Sequence, residues 1–232
     1  MYTNRVVHYK KFFRNINYNK LINEILIHEK KLKKNDLYFE GGAALNFIGQ
    51  KYKELNKILK QLHDSKKIAN HFKSKFIINS CSAISDKKNY KRSSKWHRDV
   101  RYFNKNAHAE MILCIIPITL CDQSNGSTIF KLRNNKIVQK KLLPGDILIA
   151  DASLLHRAGD KKGDKKRIIV TISLTPPHIK PIMDFSEIFK KFKTKSLYLK
   201  QLLGYTSRTP KTYKEFFQSE KNRFFQKDQI KN

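Results

Sequence analysis

Apolar residues recur along this chain with two different periods. Between residues 52 and 72, Leu55, Ile58, Leu59, Leu62, Ile68 and Ala69 fall at helical spacing with lysines filling the other face, which predicts an amphipathic helix. Residues 21–32 and 185–203 carry similar patterns, the second stopped by Gly204, and residues 213–225 have the makings of one more helix. The middle of the chain differs. Residues 75–82, 110–120, 137–143, 146–152 and 167–175 are short runs rich in Ile and Val, separated by Gly, Asn, Asp and Pro, and predict strands. Ser124-Asn125-Gly126-Ser127 and Leu143-Pro144-Gly145-Asp146 supply turns, the second with the Pro-Gly order of a type II turn. Several short strands at this spacing predict a barrel or jelly roll.

Composition narrows the picture. A chain of 232 residues with 40% hydrophobic positions can bury one full core, so one domain over residues 1–232 is expected, with a β-core at about 75–178 and helical flanks at 15–74 and 184–228. The longest apolar run, residues 111–120, is broken by Cys114, Pro117 and Thr119 and predicts a buried strand rather than a membrane span. The basic start lacks the apolar stretch of a secretory signal, which predicts a cytoplasmic protein. Three cysteines without a C-x-x-C pair predict neither a disulfide framework nor a thiolate zinc site. A formal charge of +30 attracts polyanions. The lysines are nevertheless spread from Lys10 to Lys231 with no nucleic-acid motif, the pattern of a solvated surface, so nucleic acid is not favoured as a partner.

The candidate chemistry begins at Trp96-His97-Arg98-Asp99-Val100. Residues i and i+2 of a strand share a face, so His97 and Asp99 point to one site. A second imidazole, His156, completes a two-His-one-carboxylate triad of the kind that binds Fe(II) and leaves positions open for a cosubstrate and O₂. Arg167 opens the apolar strand after His156, and its planar fork suits a buried dicarboxylate. An H-x-D triplet or a lone histidine is common by chance. The order H-x-D, Asn-Gly turn, Pro-Gly-Asp strand, His and then Arg is not.

These residues resemble the phytanoyl-CoA dioxygenase-like branch of the Fe(II)/2-oxoglutarate oxygenases. Trp96-His97-Arg98-Asp99 is similar to that family's W-H-x-D, Asn125-Gly126-Ser127-Thr128 to its N-G-x-T turn, and Pro144-Gly145-Asp146 with Leu155-His156-Arg157-Ala158-Gly159 to its G-D strand and distal H-x-A/S-G. The family's P-G-S-H stretch is replaced by Phe130-Lys131-Leu132-Arg133-Asn134-Asn135, and no role is assigned to Asn79 or Ser82. The resemblance implies a mainly β fold, a double-stranded β-helix (jelly-roll, cupin-like) with N- and C-terminal helices. It implies Fe(II) on His97, Asp99 and His156, the far carboxylate of 2-oxoglutarate on Arg167, and a hydroxyl contact from Thr128 or Ser173. The implied reaction consumes O₂ and 2-oxoglutarate, releases succinate and CO₂, and hydroxylates a small organic molecule. Asp99 argues against a halogenase, which leaves the carboxylate position to halide.

Other readings compete. His97-Arg98-Asp99 with Asn104 spells a kinase catalytic loop, but neither G-x-G-x-x-G nor D-F-G accompanies it. A jelly roll without activity could use its basic surface to bind nucleic acid or an anionic ligand. A zinc or manganese hydrolase would need Asp151 or Asp160 as general base. Arg98, Arg101 and Arg157, close to the ligands in sequence, suggest a substrate bearing carboxylate, phosphate or sulfate, or else are surface charge.

Overall fold

Strands buried on both faces read as continuous apolar runs, and three such strands form the centre of this protein. The structure, a computed structural model, describes residues 5–31, 38–39, 42–46, 52–86, 95–100, 110–162, 165–188, 196–207 and 212–216. In chain order these contain β1 (Val6–Tyr9), α1 (Tyr18–Lys31), β2 (Tyr38–Phe39), β3 (Gly42–Asn46), α2 (Lys53–His63), α3 (Lys66–Phe72) and β4 (Ile77–Asp86). There follow β5 (Ile112–Pro117), β6 (Thr128–Lys131), β7 (Ile137–Gln139), β8 (Ile147–Asp151), β9 (Leu155–Ala158), β10 (Ile168–Thr175), α4 (Phe185–Ile188), α5 (Leu197–Leu202) and α6 (Tyr213–Phe216). Seven strands make one sheet in the order β1-β8-β5-β10-β4-β3-β2, and three make another, β7-β6-β9. Among the described residues every strand pairing is antiparallel.

The large sheet separates two cores. On one face Ile112, Cys114, Ile116, Ile147, Ile149, Ile168, Val170, Ile172 and Leu174 meet helical residues that include Leu21, Ile25, Leu55, Ile58, Leu59, Leu62, Ile68 and Leu199. On the other, Leu113, Ile115, Leu148, Ala150 and Ile169 meet Phe130, Leu142 and Leu154 on the side of the small sheet. A fully buried Leu or Ile side chain contributes about 1.5–3 kcal/mol, so both faces of β5, β8 and β10 are stabilised by burial. Helices outside and a small sheet inside leave room between the sheets for a site.

The mainly β architecture with helical flanks is the expected one, with local differences. The apolar spacing over 52–72 belongs to two helices, α2 and α3, which break at Asp64-Ser65 while both face the same core. Within 185–203 the described residues form α4 and α5, residues 189–195 lying outside them, and Gly204 follows α5 with φ +77°, the left-handed stop expected of it. Leu143-Pro144-Gly145-Asp146 closes with Asp146 N–H donating to the Leu143 carbonyl (2.9 Å) and Gly145 at φ +102°, as a type II turn requires. Strands β1, β2 and β3 lie outside the 75–178 core range. β1 is four half-buried residues whose hydrogen-bonding partner, β8, is about 140 positions away, so no local pattern announces it. Residues beyond 216 in the expected last helix lie outside the described residues. Among the described residues no helix is long and apolar enough to cross a membrane.

Candidate metal centre

β9 presents His156 to the space between the sheets, and the chain segment carrying His97 runs antiparallel to it. His97 N–H donates to the His156 carbonyl (3.0 Å) and His156 N–H to the His97 carbonyl (2.9 Å), a reciprocal pair that puts both side chains on one face. The rings lie 4.4 Å apart between centroids. Asp99, two residues on, turns to the same face. Its Oδ1 is 3.8 Å from His97 Nε2 and 3.5 Å from His156 Nε2, and one donor atom from each of the three residues lies within 4.8 Å of the others.

The other ring nitrogens are already committed. His97 Nδ1 is 3.0 Å from the Lys95 carbonyl, and His156 Nδ1 is 3.1 Å from the Leu154 carbonyl. A carbonyl only accepts, so each Nδ1 carries the proton and each Nε2 of the neutral ring offers a lone pair. Locking the tautomer from behind is how metal-binding histidines are usually oriented. His156 is also buried and stacked on Phe130, with centroids 5.4 Å apart, while the His97 side chain is half exposed. Burial of His156 opposes its charged form, but the Asp99 carboxylate outweighs this and raises its pKa. Two Nε2 lone pairs and a carboxylate around one point fit a divalent transition metal such as Fe(II), with the remaining coordination positions left to other ligands.

The triad borders a cavity of about 250 Å³ whose wall includes Arg167, Ile169, Thr171 and Ser173. These alternate along β10, so they share the face opposite the helices. Leu113 and Ile115 of β5, Ser80 and Ile84 of β4, and Thr128 of β6 continue the wall. Arg167 is buried (1% exposed), and its guanidinium donates to the Gly126 carbonyl. The two glycine motifs are stitched together there. Gly159 N–H donates to the Ser127 carbonyl (3.0 Å), and Asn125 clamps the turn by bonding the Leu120 carbonyl (2.6 Å) and the Asp122 N–H (2.8 Å). A Cβ on Gly126 would stand 2.7 Å from the Gly159 carbonyl oxygen, and one on Gly159 2.6 Å from that of Ser127. Glycine at both positions is what lets the segments approach beneath Arg167.

No family model matches the chain, and no curated protein sequence matches it. Solved structures do. AviO1 from Streptomyces viridochromogenes Tue57 superposes with TM-score 0.63 at 14% identity over 78% of this chain and 93% of its own. SnoK, a non-heme α-ketoglutarate-dependent carbocyclase from nogalamycin biosynthesis, gives 0.61 at 12% identity over 79% and 85%. HygX from Streptomyces hygroscopicus, solved with nickel and 2-oxoglutarate bound, gives 0.59 at 9% identity over 80% and 87%. This chain has the fold of non-heme α-ketoglutarate-dependent enzymes.

The six residues singled out in the sequence, His97, Asp99, His156, Arg167, Thr128 and Ser173, all line the one cavity. They do not sit together within it. Thr128 pairs with Ala158 beside the Gly126–Gly159 contact, at the Arg167 end. Ser173 is six residues along β10 from Arg167, about 20 Å at the rise of a strand, which is too far for one small diacid to touch both. Arg98 and Arg157 do not line the cavity, because the residues beside the inward-facing His97, Asp99 and His156 point away from it. Arg98 Nε donates to the Ser153 carbonyl (2.9 Å), and Arg157 lies over the Trp96 ring and pairs with Asp160 (3.1 Å). Arg101 and Asn104 lie outside the described residues. Asp151 is spent capping Ser153 through its N–H and hydroxyl, and Asp160 is held by Arg157, so neither is placed to act as a base at the triad. Sequence reasoning passed over Ser80, Thr171 and Ile182. The signal for Thr171 was present: like Ser173 and Thr175, it is a polar residue recurring at every second position of a strand whose other face is wholly apolar.

Proposed function

We propose that this chain is an Fe(II)- and 2-oxoglutarate-dependent oxygenase in which His97, Asp99 and His156 hold the metal. The observation that carries the reading is two tautomer-locked imidazoles and a carboxylate converging beside a cavity that has a buried arginine toward one end. The nickel and 2-oxoglutarate of HygX, on the same fold, support that pairing. Spacing supports it too. His156 is two residues from Ala158, or about 7 Å of strand, and Ala158 is level with Thr128 at the Arg167 end. Four carbon–carbon bonds in zigzag span roughly 5 Å, so a five-carbon diacid anchored on Arg167 reaches the triad with its oxo-acid end.

With Fe(II), 2-oxoglutarate and O₂ bound, the centre supplies an oxidant for a substrate C–H bond as the cosubstrate is converted to succinate and CO₂. The chain's own contribution is placement. Arg167 neutralises the far carboxylate, and Thr128 offers a hydroxyl at the same end. Ile84, Leu113, Ile115 and Ile169 keep water from the space between, which strengthens the charge interactions made there. The Lys95 and Leu154 carbonyls hold the imidazoles in the metal-binding tautomer. The outcome we assign is hydroxylation of a small organic molecule.

Anaerobic addition of Fe(II) and 2-oxoglutarate should give a weak visible metal-to-ligand charge-transfer band. It should vanish in His97→Ala and His156→Ala. A wild-type protein that shows no band under these conditions is not this enzyme.

A further inference from the structure

The end of the cavity away from Arg167 is bordered by Ile182, which belongs to a proline-rich strap, residues 176–184, that leads out of β10. Its sequence, Pro176-Pro177-His178-Ile179-Lys180-Pro181-Ile182-Met183-Asp184, fixes φ at three prolines and so loses little backbone freedom on ordering. The strap is tied down along its length. His178 Nε2 is 2.8 Å from Glu110 Oε2, Met183 packs against the helix-side core, and Asp184 receives the Glu187 N–H at the start of α4 (3.1 Å).

The central tie comes from Asn79. Pairing of β10 with β4 slips between Ser173 and Leu174, because Ser173 opposes Ser80 while Leu174 opposes Ile78, leaving Asn79 as the extra residue of a bulge. Asn79 is 2% exposed. Its Oδ1 accepts the Ile182 N–H (3.2 Å), and its main-chain carbonyl accepts the Met183 N–H (3.0 Å). The bulge therefore turns a buried carboxamide toward the strap, and Ile182, so held, becomes part of the cavity wall next to Ser80 and Ser173.

Resting on the oxygenase reading, we infer that Ile182, Ser80 and Ser173 form the seat of the second reactant, with Asn79 as the positioning residue that sets Ile182. The cosubstrate is confined to the Arg167 side because Ser173 lies about 20 Å along the strand from Arg167. The described lining at the far end offers two hydroxyls and an aliphatic face and no charged side chain. It fits an uncharged, partly aliphatic group bearing a hydroxyl or carbonyl.

Methyl-labelled isoleucine and NMR test this without knowledge of the natural substrate, comparing protein loaded with Co(II) against protein loaded with Zn(II). In the wild type the Ile169 and Ile182 methyls should both show Co(II)-induced shifts, and in the diamagnetic Zn(II) form 2-oxoglutarate should move Ile169 and leave Ile182 in place. Asn79→Ala should collapse the Ile182 shift while the Ile169 shift and the affinity for 2-oxoglutarate persist. Cyclohexanol should then move the Ile182 methyl more than cyclohexanecarboxylate does. The inference is overturned if 2-oxoglutarate moves Ile182 as much as Ile169, or if Asn79→Ala leaves the Ile182 shift intact. A response to the carboxylate as large as to the alcohol overturns the uncharged ligand. The wild-type titration needs no variant, so it decides even if Asn79→Ala does not fold. If no isoleucine responds to Co(II), it is the metal centre that fails, and the inference with it.

Discussion

Asp146, in the Pro-Gly-Asp turn before β8, gives a sharp test of how the first strand is held. It is 4% exposed and receives three hydrogen bonds: His8 Nε2 at 2.9 Å and Leu143 N–H at 3.0 Å on Oδ2, and Lys11 N–H at 3.0 Å on Oδ1. Asp146→Ala removes all three and leaves the Lys11 and Leu143 amides without this acceptor. A hydrogen bond to a charged group is worth about 1.5–3 kcal/mol, but the three are not additive and water can enter the vacated space. A loss of about 3 kcal/mol follows, equivalent to roughly 6–12 °C in Tm for a chain of this length. Burial opposes the Asp146 carboxylate, yet hydrogen bonds from Leu143, Lys11 and His8 outweigh it and hold its pKa below the usual carboxylate value. As the unfolded chain takes up the proton first, near pH 3.9 or about that of a free Asp, the stabilisation is complete above that pH. It drains away as pH falls through the lower, folded pKa. Urea unfolding followed by circular dichroism from pH 7 downward should show the gap between wild type and Asp146→Ala narrowing only below about pH 4. A variant within about 0.5 kcal/mol of wild type at pH 7, or a gap as wide at pH 3 as at pH 7, would refute the anchoring role.

Four further outcomes are expected. His97→Ala and His156→Ala should each lose metal in equilibrium dialysis while keeping the wild-type circular dichroism spectrum. Arg167→Ala should weaken 2-oxoglutarate binding by about 10- to 100-fold, the loss of one charge-assisted contact, in a titration of the charge-transfer band. Gly159→Ala places a Cβ 2.6 Å from the Ser127 carbonyl oxygen and 2.9 Å from Gln139 Nε2, so it should cost about 2 kcal/mol in thermal unfolding and also weaken 2-oxoglutarate binding by disturbing the turn under Arg167. Arg157→Glu, on the outward face with Trp96, should leave metal and 2-oxoglutarate affinities within about twofold of wild type, since its partly exposed charge faces solvent rather than the cavity and is screened.

The candidate-site strings were legible because their spacing is local. His97 and Asp99 stand two apart and do share a face, although the segment forms only a single bridge, His97 to His156, rather than the expected strand, and Arg167 opens a run of Ile and Val that has to be a buried strand. β5, β8 and β10 were readable for the same reason, being apolar on both faces. β6 and β9 were not: Thr128-Ile129-Phe130-Lys131 and Leu155-His156-Arg157-Ala158 mix cavity-facing residues with outward charge, and pairing with each other, and of β6 with β7, is what makes them strands.

The sequence alone determined which residue types occur in which local order, and hence the donor set, the glycine turns and the two periodicities. Tertiary structure alone decided how that inventory is shared out in space. It put Arg157 on the outer face, brought Gly126 against Gly159, and left Asn79 as the odd residue of a bulge that fixes Ile182. Each of these depends on strand register and on sheet packing between residues dozens of positions apart, and a change of one residue in register reverses which side chains face inward. Local preference does not carry that information; it is selected only when the whole sheet and both of its cores form together.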